Sequence, residues 1–376
     1  MNMFKSLLLS FIFVFSAHAA LPVPPAPQIA ARAWLLIDAN SGQTLAENKP
    51  DERIEPASLT KLMTAYLVFG ALKEKRLTLD QTLPVSEKAW KIEGSRMFLK
   101  VNSQAKVEDL IKGMIVQSGN DACITLAEGI AGTEDAFVAM MNQQAKRLGM
   151  TGTHFANATG LPDPNHYTTA RDLAKLATAL ISNYPEEYKY YSIKEFTYSG
   201  ITQTNRNRLL WVDPNVDGMK TGHTDSAGYC LIASAKRDNR RLISVVLGAD
   251  SDSARASESQ KLLNYGLQFF ETVKLYNANQ PVSALRIYKG TSNSLGIGFT
   301  HDFYVTVPRG TSKQIKAQII TRQPMMAPVD RGQTIGTLRL SLDGKPVGDF
   351  TLTALSNVSV AGIFRRGWDS LMLIIH

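Results

Sequence analysis

Cysteine is nearly absent: the 376-residue chain has two, Cys123 and Cys230. That excludes a disulfide-framed small fold and leaves one possible bridge, with buried free thiols as the alternative. Histidine is scarce as well, at six. No Cys/His pair has the spacing of a metal site, and His154, His166 and His223 are not spaced as ligands, so neither metal nor cofactor is expected. No Lys/Arg-rich run carries interleaved aromatics, which argues against a nucleic-acid partner although the formal net charge is +8. The apolar runs at the two ends are both too short to cross a bilayer. What remains is ordinary for a globular protein: 44% hydrophobic and 20% charged residues, enough for a real core. The length favours two domains.

The N-terminus sets the compartment. Lys5 precedes an apolar run over residues 7–15 and the small-residue site Ala17-His18-Ala19. This reads as a secretory signal peptide over 1–19, removed from the mature chain, so the protein is expected to work outside the cytoplasm. A Pro-rich linker over 20–29 follows. Residues 33–38 and 45 onward, separated by Ala39-Asn40-Ser41-Gly42, predict a β-hairpin. The next segment predicts a helix beginning at Ser58, with Leu59, Leu62, Met63, Tyr66, Leu67 and Leu72 as its apolar stripe. Further helices are predicted over 107–116, 121–130, 133–148 and 170–181. Residues 230–235 and 242–247 predict adjacent antiparallel strands, and 262–273 a helix. The first unit, 30–277, is thus an antiparallel sheet flanked by helices, an α+β arrangement. Alternating patterns and the Asp343-Gly344 turn predict a small β-sandwich-like domain over 278–357. In the tail, 358–376, Ile363, Phe364, Gly367, Trp368, Leu371, Met372 and Ile375 share one helical face opposite Arg365, Arg366, Asp369 and Ser370. Such a helix suits a membrane interface; the alternative is a helix packed on the β domain.

Three polar clusters carry the chemistry. Ser58-Leu59-Thr60-Lys61 sets a hydroxyl and an amine one helical turn apart, a nucleophile and a base if the lysine's surroundings lower its pKa. Ser118-Gly119-Asn120 falls in the break between two predicted helices. Ser118 can relay a proton to a leaving nitrogen, and Asn120 can hold a substrate amide. Lys220-Thr221-Gly222 precedes or opens a strand. Lys220 helps keep Lys61 partly neutral and attracts an anion, Thr221 offers a hydroxyl to a carboxylate, and Gly222 lets backbone approach the substrate. A strand edge beside them would accept an extended peptide as an added strand. Taken singly, each cluster also fits a cap, a turn or a solvated strand end.

Together and in this order the clusters are the known signature set of penicillin-binding proteins and class A β-lactamases. The chain resembles the low-molecular-mass penicillin-binding proteins that are D-alanyl-D-alanine carboxypeptidases. The resemblance extends over Pro56-Ala57-Ser58-Leu59-Thr60-Lys61-Leu62-Met63-Thr64, Gln117-Ser118-Gly119-Asn120-Asp121-Ala122-Cys123, His154-Phe155-Ala156-Asn157-Ala158-Thr159-Gly160-Leu161, Asn205-Arg206-Asn207 and Val216-Asp217-Gly218-Met219-Lys220-Thr221-Gly222-His223-Thr224, and over the β domain and tail. It implies a penicillin-binding, β-lactamase-like domain, acylation of Ser58, and an oxyanion hole from the backbone N–H groups of Ser58 and His223. It implies that Arg255 helps bind the substrate carboxylate, with Arg206 as a second candidate. It also implies peptidoglycan stem peptides ending in D-Ala-D-Ala as substrates, β-lactams as covalent inhibitors, and a periplasmic enzyme attached to the outer face of the inner membrane. The His223 ring is read as structural, because a Ser-His-Asp triad would make Lys61 redundant.

Alternatives remain open at this point: a non-catalytic penicillin-binding scaffold or sensor, a D,D-endopeptidase, or a β-lactamase. Class A β-lactamases deacylate through a glutamate placed between the second and third motifs. This chain has no glutamate between Glu134 and Glu186, which favours the peptidase.

Overall fold

The computed structural model describes residues 23–375; the expected signal peptide lies outside them. Five strands form the first sheet: β1 (Ala33–Asp38), β2 (Thr44–Asn48), β3 (Val216–Thr224), β4 (Gly228–Arg237) and β5 (Arg240–Ala249). Their spatial order is β2-β1-β5-β4-β3, all antiparallel. The strands run through apolar and β-branched stretches, and consecutive side chains serve opposite cores. Leu35, Cys230, Ile232 and Val245 enter one core, and Leu36, Leu231, Ala233 and Val246 the other.

The first core is filled by α1 (Lys61–Lys73), α2 (Val107–Val116), α3 (Asn120–Ala131), α4 (Glu134–Arg147) and α5 (Ala170–Asn183). The second is covered by α6 (Asp252–Phe269). Helix α1 has no single apolar stripe. Nine of its residues are buried, Thr64, Ala65 and Val68 included, so it is a central core helix and not a surface one. Leu67 and Leu72, expected on the stripe, are only partly buried.

The second deviation is at α6. Residues 262–273 read as helical, yet the helix starts ten residues earlier and stops at Phe269. Its start is a cap: the Ser251 hydroxyl accepts from Ala254 N at 3.0 Å. After it, β6 (Phe270–Tyr276) is extended and pairs with a strand about thirty residues further on.

That partner belongs to an all-β body comprising β7 (Pro281–Tyr288), β8 (Ser294–Gly298), β9 (Phe303–Pro308), β10 (Ile315–Thr321), β11 (Met325–Met326), β12 (Thr334–Leu342) and β13 (Lys345–Ala354). Strand β9 pairs with β6, and the others form a sheet in the order β10-β12-β13-β8-β7-β11. The expected faces are buried: Phe303, Val305 and Val307 on β9, and Leu338 and Leu340 on β12. Asp343 and Gly344 turn between β12 and β13 with φ of 49° and 78°, the left-handed pair that a two-residue hairpin needs.

A buried carboxylate joins the two bodies. Asp38, at the end of β1, accepts from Arg240 Nε at 2.8 Å and from the Thr272 hydroxyl of β6. Ser41 and Thr306 hydroxyls meet at 2.7 Å beside it. The tail is helical as expected, α7 (Ile363–Ile375). Asp369 turns inward and accepts from Lys289 N, and Arg365 donates to Thr291 O and Asn293 Oδ1. Ile363, Phe364, Trp368 and Leu371 stay open to solvent. Among the described residues no helix is long and apolar enough to cross a membrane.

Candidate active site

Ser58 lies on a 3-10 turn, Ala57–Thr60, that runs directly into α1. Ala57 holds a left-handed φ of 46°, a conformation that a non-glycine residue keeps only when its surroundings enforce it. Gly160 is one enforcer. A Cβ added there would fall 1.8 Å from Ala57 O, so only glycine lets that loop pass against the turn. On the other side, Gly222 of β3 leaves room for the same turn; a Cβ there would stand 3.2 Å from Ser58 N. The backbone amides of Ser58 and of the β3 end carrying His223 therefore belong to facing segments.

Lys61 is 1% exposed. Its Nζ lies 3.0 Å from Ser58 Oγ, 2.7 Å from Asn120 Oδ1 and 2.6 Å from Thr159 O. Burial pulls its pKa down to about 8, against smaller upward pulls from Cys123 and Asp121 and a downward push from Arg206. A neutral amine has two N–H donors and one lone pair. Asn120 and Thr159 offer only acceptors, so they take the two donors, and the lone pair is left facing the Ser58 hydroxyl. That is the arrangement of a general base.

Helices α2 and α3 meet at Ser118 and Gly119. Ser118 has φ of 67°, and its buried Oγ has no hydrogen-bond partner. A strained residue with an unpartnered buried hydroxyl is an expected mark of a reactive position. Asn120 opens α3 with its side chain committed at both ends, to Lys61 and to Glu93 O at 2.6 Å. Its amide thus orients Lys61, where the sequence suggested a contact to substrate.

Strand β3 is the sheet's edge. Lys220 is buried, donating to Thr221 O at 3.0 Å. Burial first, then the positive charges of Lys61, Arg206 and Arg255, hold its pKa well below the usual lysine range. Thr221, Gly222 and His223 follow toward the open end, where the His223 ring lies 4.0 Å from that of Tyr229. Arg255, in the first turn of α6, donates to Gly222 O at 3.0 Å. Burial lowers the pKa of both Arg206 and Arg255.

These elements enclose an open cavity of 930 Å³ lined by Ser58, Ser118, Arg206, Thr221, Gly222, His223 and Arg255, among others. Lys61, Asn120 and Lys220 stand behind it. All ten residues singled out from the sequence converge on this one place. Sequence reasoning missed four contributors. Thr159 holds Lys61 through its carbonyl. His166 backs the turn, its Nε2 2.8 Å from the Thr60 hydroxyl, and burial lowers its pKa to about 4, leaving a neutral ring. Arg208 and Asp252 form an ion pair at the cavity rim. Thr159 lies within Phe155–Leu161, but nothing in a sequence marks which carbonyl will be used.

Cys123 and Cys230 are both buried free thiols, with pKa values pushed by burial to about 12 and about 11. Among the described residues no cluster of His, Cys, Asp or Glu could hold a metal ion.

Comparison with known proteins identifies the family. The family described as D-alanyl-D-alanine carboxypeptidase matches residues 20–251, and the one described as penicillin-binding protein 5, C-terminal domain, matches residues 270–360. The chain is 46% identical to D-alanyl-D-alanine carboxypeptidase DacC of Escherichia coli, over 97% of this chain and 94% of that one. It is 44% identical to D-alanyl-D-alanine carboxypeptidase DacA of Haemophilus influenzae, over 93% and 90%. Among solved structures it is similar to penicillin binding protein 5 from Haemophilus influenzae, with a TM-score of 0.86 at 44% identity, covering 90% of this chain and all of that one. It is also similar to penicillin binding protein 6B from Escherichia coli, with a TM-score of 0.74 at 39% identity, covering 89% and 98%. The chain belongs to the D-alanyl-D-alanine carboxypeptidase family of low-molecular-mass penicillin-binding proteins.

Proposed function

We propose that Ser58 is the acylated nucleophile of this carboxypeptidase and Lys61 its general base. The observation that carries this is the Lys61 amine, buried and held by Asn120 and Thr159 so that its lone pair faces Ser58 Oγ. Ser58 Oγ attacks the carbonyl between the two terminal D-alanines of a peptidoglycan stem peptide, and Lys61 takes the hydroxyl proton. The charge that develops on the carbonyl oxygen is held by the N–H groups of Ser58 and His223. The proton passes through Ser118 to the nitrogen of the leaving D-alanine, whose carboxylate rests on Thr221 and Arg255, with Lys220 and Arg206 adding positive charge. Water, activated by the same lysine, then releases the shortened peptide. A β-lactam follows the first half of this path and remains on Ser58. The edge position of β3 supports an extended peptide lying along it as a sixth strand.

We further read 1–19 as a cleaved signal peptide, 20–29 as a linker, 30–277 as the peptidase domain, 278–357 as the β domain, and the enzyme as periplasmic. The pairing of β6 with β9 favours moving the domain junction back to Phe270. The exposed Ile363, Phe364, Trp368 and Leu371 support α7 as an interfacial anchor on the inner membrane.

The test pairs two assays. Ser58→Ala abolishes labelling by a fluorescent penicillin, and wild type releases free D-alanine from diacetyl-Lys-D-Ala-D-Ala. Labelling retained at another residue overturns the nucleophile; penicillin binding without D-alanine release points to a sensor. Removal of residues 363–376 abolishes sedimentation with anionic vesicles, and undiminished sedimentation overturns the anchor.

A further inference from the structure

Helix α6 presents one carboxylate to the active-site cavity, and that carboxylate is already engaged. Asp252 Oδ2 forms an ion pair with Arg208 Nε at 2.5 Å, and its Oδ1 accepts a hydrogen bond from Arg255 Nη2. Arg208 precedes the single helical turn Leu209–Val212, so Asp252 ties two segments far apart in sequence across the cavity rim. Among the described residues lining the cavity, Asp252 is the only acid and Arg206, Arg208 and Arg255 are its cations. The Asp252 side chain is 32% exposed, against 6% for Arg255. An incoming anion therefore meets both charges together.

The donors of Arg255 matter here. Guanidinium grips a carboxylate through a fork of two N–H groups. Arg255 points Nη1 at Gly222 O and Nη2 at Asp252, so an internal carboxylate occupies part of the fork a substrate carboxylate would use. We infer that Asp252 is a specificity-determining residue: a built-in counter-ion that competes with the substrate's terminal carboxylate and sets how much charge contributes to its capture. The inference rests on the assignment of Arg255 to carboxylate binding. Asp252 weakens capture of the peptide's C-terminus and equally weakens retention of the D-alanine product, while the reacting atoms around Ser58 are untouched. Arg208 acts in the opposite sense, because it pairs with Asp252 and offsets its charge.

The sign of the effect separates this role from a merely structural one. If Asp252 only braced Arg255, removing its charge would loosen the fork and raise KM. A counter-ion predicts the reverse. Asp252→Asn keeps the shape and one acceptor for Arg255; for diacetyl-Lys-D-Ala-D-Ala at low salt, KM falls about three- to tenfold, a change typical of one partly solvated charge, and kcat stays within about twofold. Inhibition by free D-alanine tightens in parallel, and the Ki of the same tripeptide with an amidated C-terminus is unchanged. Arg208→Gln raises KM, and high salt shrinks both effects. A KM for Asp252→Asn that is unchanged or higher, or an equal change for the amide, overturns the inference. Arg255→Gln, run alongside, separates the layers: raised KM there with no fall in Asp252→Asn rejects the counter-ion alone. An unchanged KM in Arg255→Gln rejects the carboxylate assignment and the inference with it.

Discussion

Lys61 makes the most demanding prediction, because one buried amine ties the pH profile of acylation to the pH dependence of stability. Its pKa is about 8 in the folded chain, and burial is the largest cause. At pH 7 only about a tenth of the molecules then carry the neutral base, and about a hundredth at pH 6. The second-order rate of acylation by a β-lactam that does not itself titrate in this range should rise close to tenfold per pH unit below about 8, then level off. Lys220 is lowered in the same direction and repels Lys61, so the inflection belongs to the coupled pair of amines. Stopped-flow labelling from pH 5.5 to 9.5 reads it directly. A flat profile through this range, or a rise that continues past pH 10, refutes a neutral Lys61 as base.

Stability supplies the independent check. The folded pKa is below the unfolded value, so between about pH 8 and 10.5 the unfolded chain binds the proton that the folded chain has lost. Stability from this group is therefore present above the unfolded pKa and is lost as pH falls through the folded pKa. A drop of the lysine from 10.5 to about 8 corresponds to about 3 kcal/mol at 1.36 kcal/mol per unit. Urea unfolding of wild type, compared with Lys61→Met across pH 7 to 10.5, isolates the contribution from other titrating groups. Wild type gains on the variant as pH rises through that window. No relative gain would mean that the amine stays charged when buried, and the catalytic argument would fail with it.

Three further outcomes follow from single observations. Ser118→Gly relieves a left-handed φ and removes an unpartnered buried hydroxyl; it should stabilise the fold by about 1 kcal/mol in thermal melts while D-alanine release falls by at least tenfold. Gly160→Ala pushes a methyl into Ala57 O; the folded protein should persist by circular dichroism, with penicillin acylation slowed more than tenfold because the Ser58 turn is displaced. Asp38→Ala removes the carboxylate paired with Arg240, leaving that guanidinium only the Gly266 and Phe270 carbonyls, and leaves the Thr272 hydroxyl only that of Thr306; unpairing a buried charge costs about 3 kcal/mol, and limited proteolysis should cut first near Phe270, where the two bodies join.

What could be read from the sequence was local. Ser58 and Lys61 are one turn apart, Asp343-Gly344 makes its own hairpin, and the period-2 faces of β9 and β12 are set by neighbours along the chain. Each needs only a few residues to specify it. The failures are equally physical. Helix α6 begins earlier than its apolar pattern indicates because its first turns, Asp252-Ser253-Ala254-Arg255-Ala256-Ser257, are largely polar, and the only sign of its start is the Ser251 cap. Strand β6 looked like the end of that helix because its partner, Phe303–Pro308, lies beyond an intervening hairpin. Asn120 was expected to face substrate, yet its carbonyl oxygen turns to Lys61 because α1 and α3 pack side by side. The same rule explains why Thr159, His166, Arg208 and Asp252 went unread: their roles are created by packing. The proposed reacting residues stand in short clusters along the chain, whereas Thr159, His166, Arg208 and Asp252 reach the same site from separate segments, three from loops and Asp252 from the start of α6. Sequence motifs therefore locate the reaction well and its selectivity poorly.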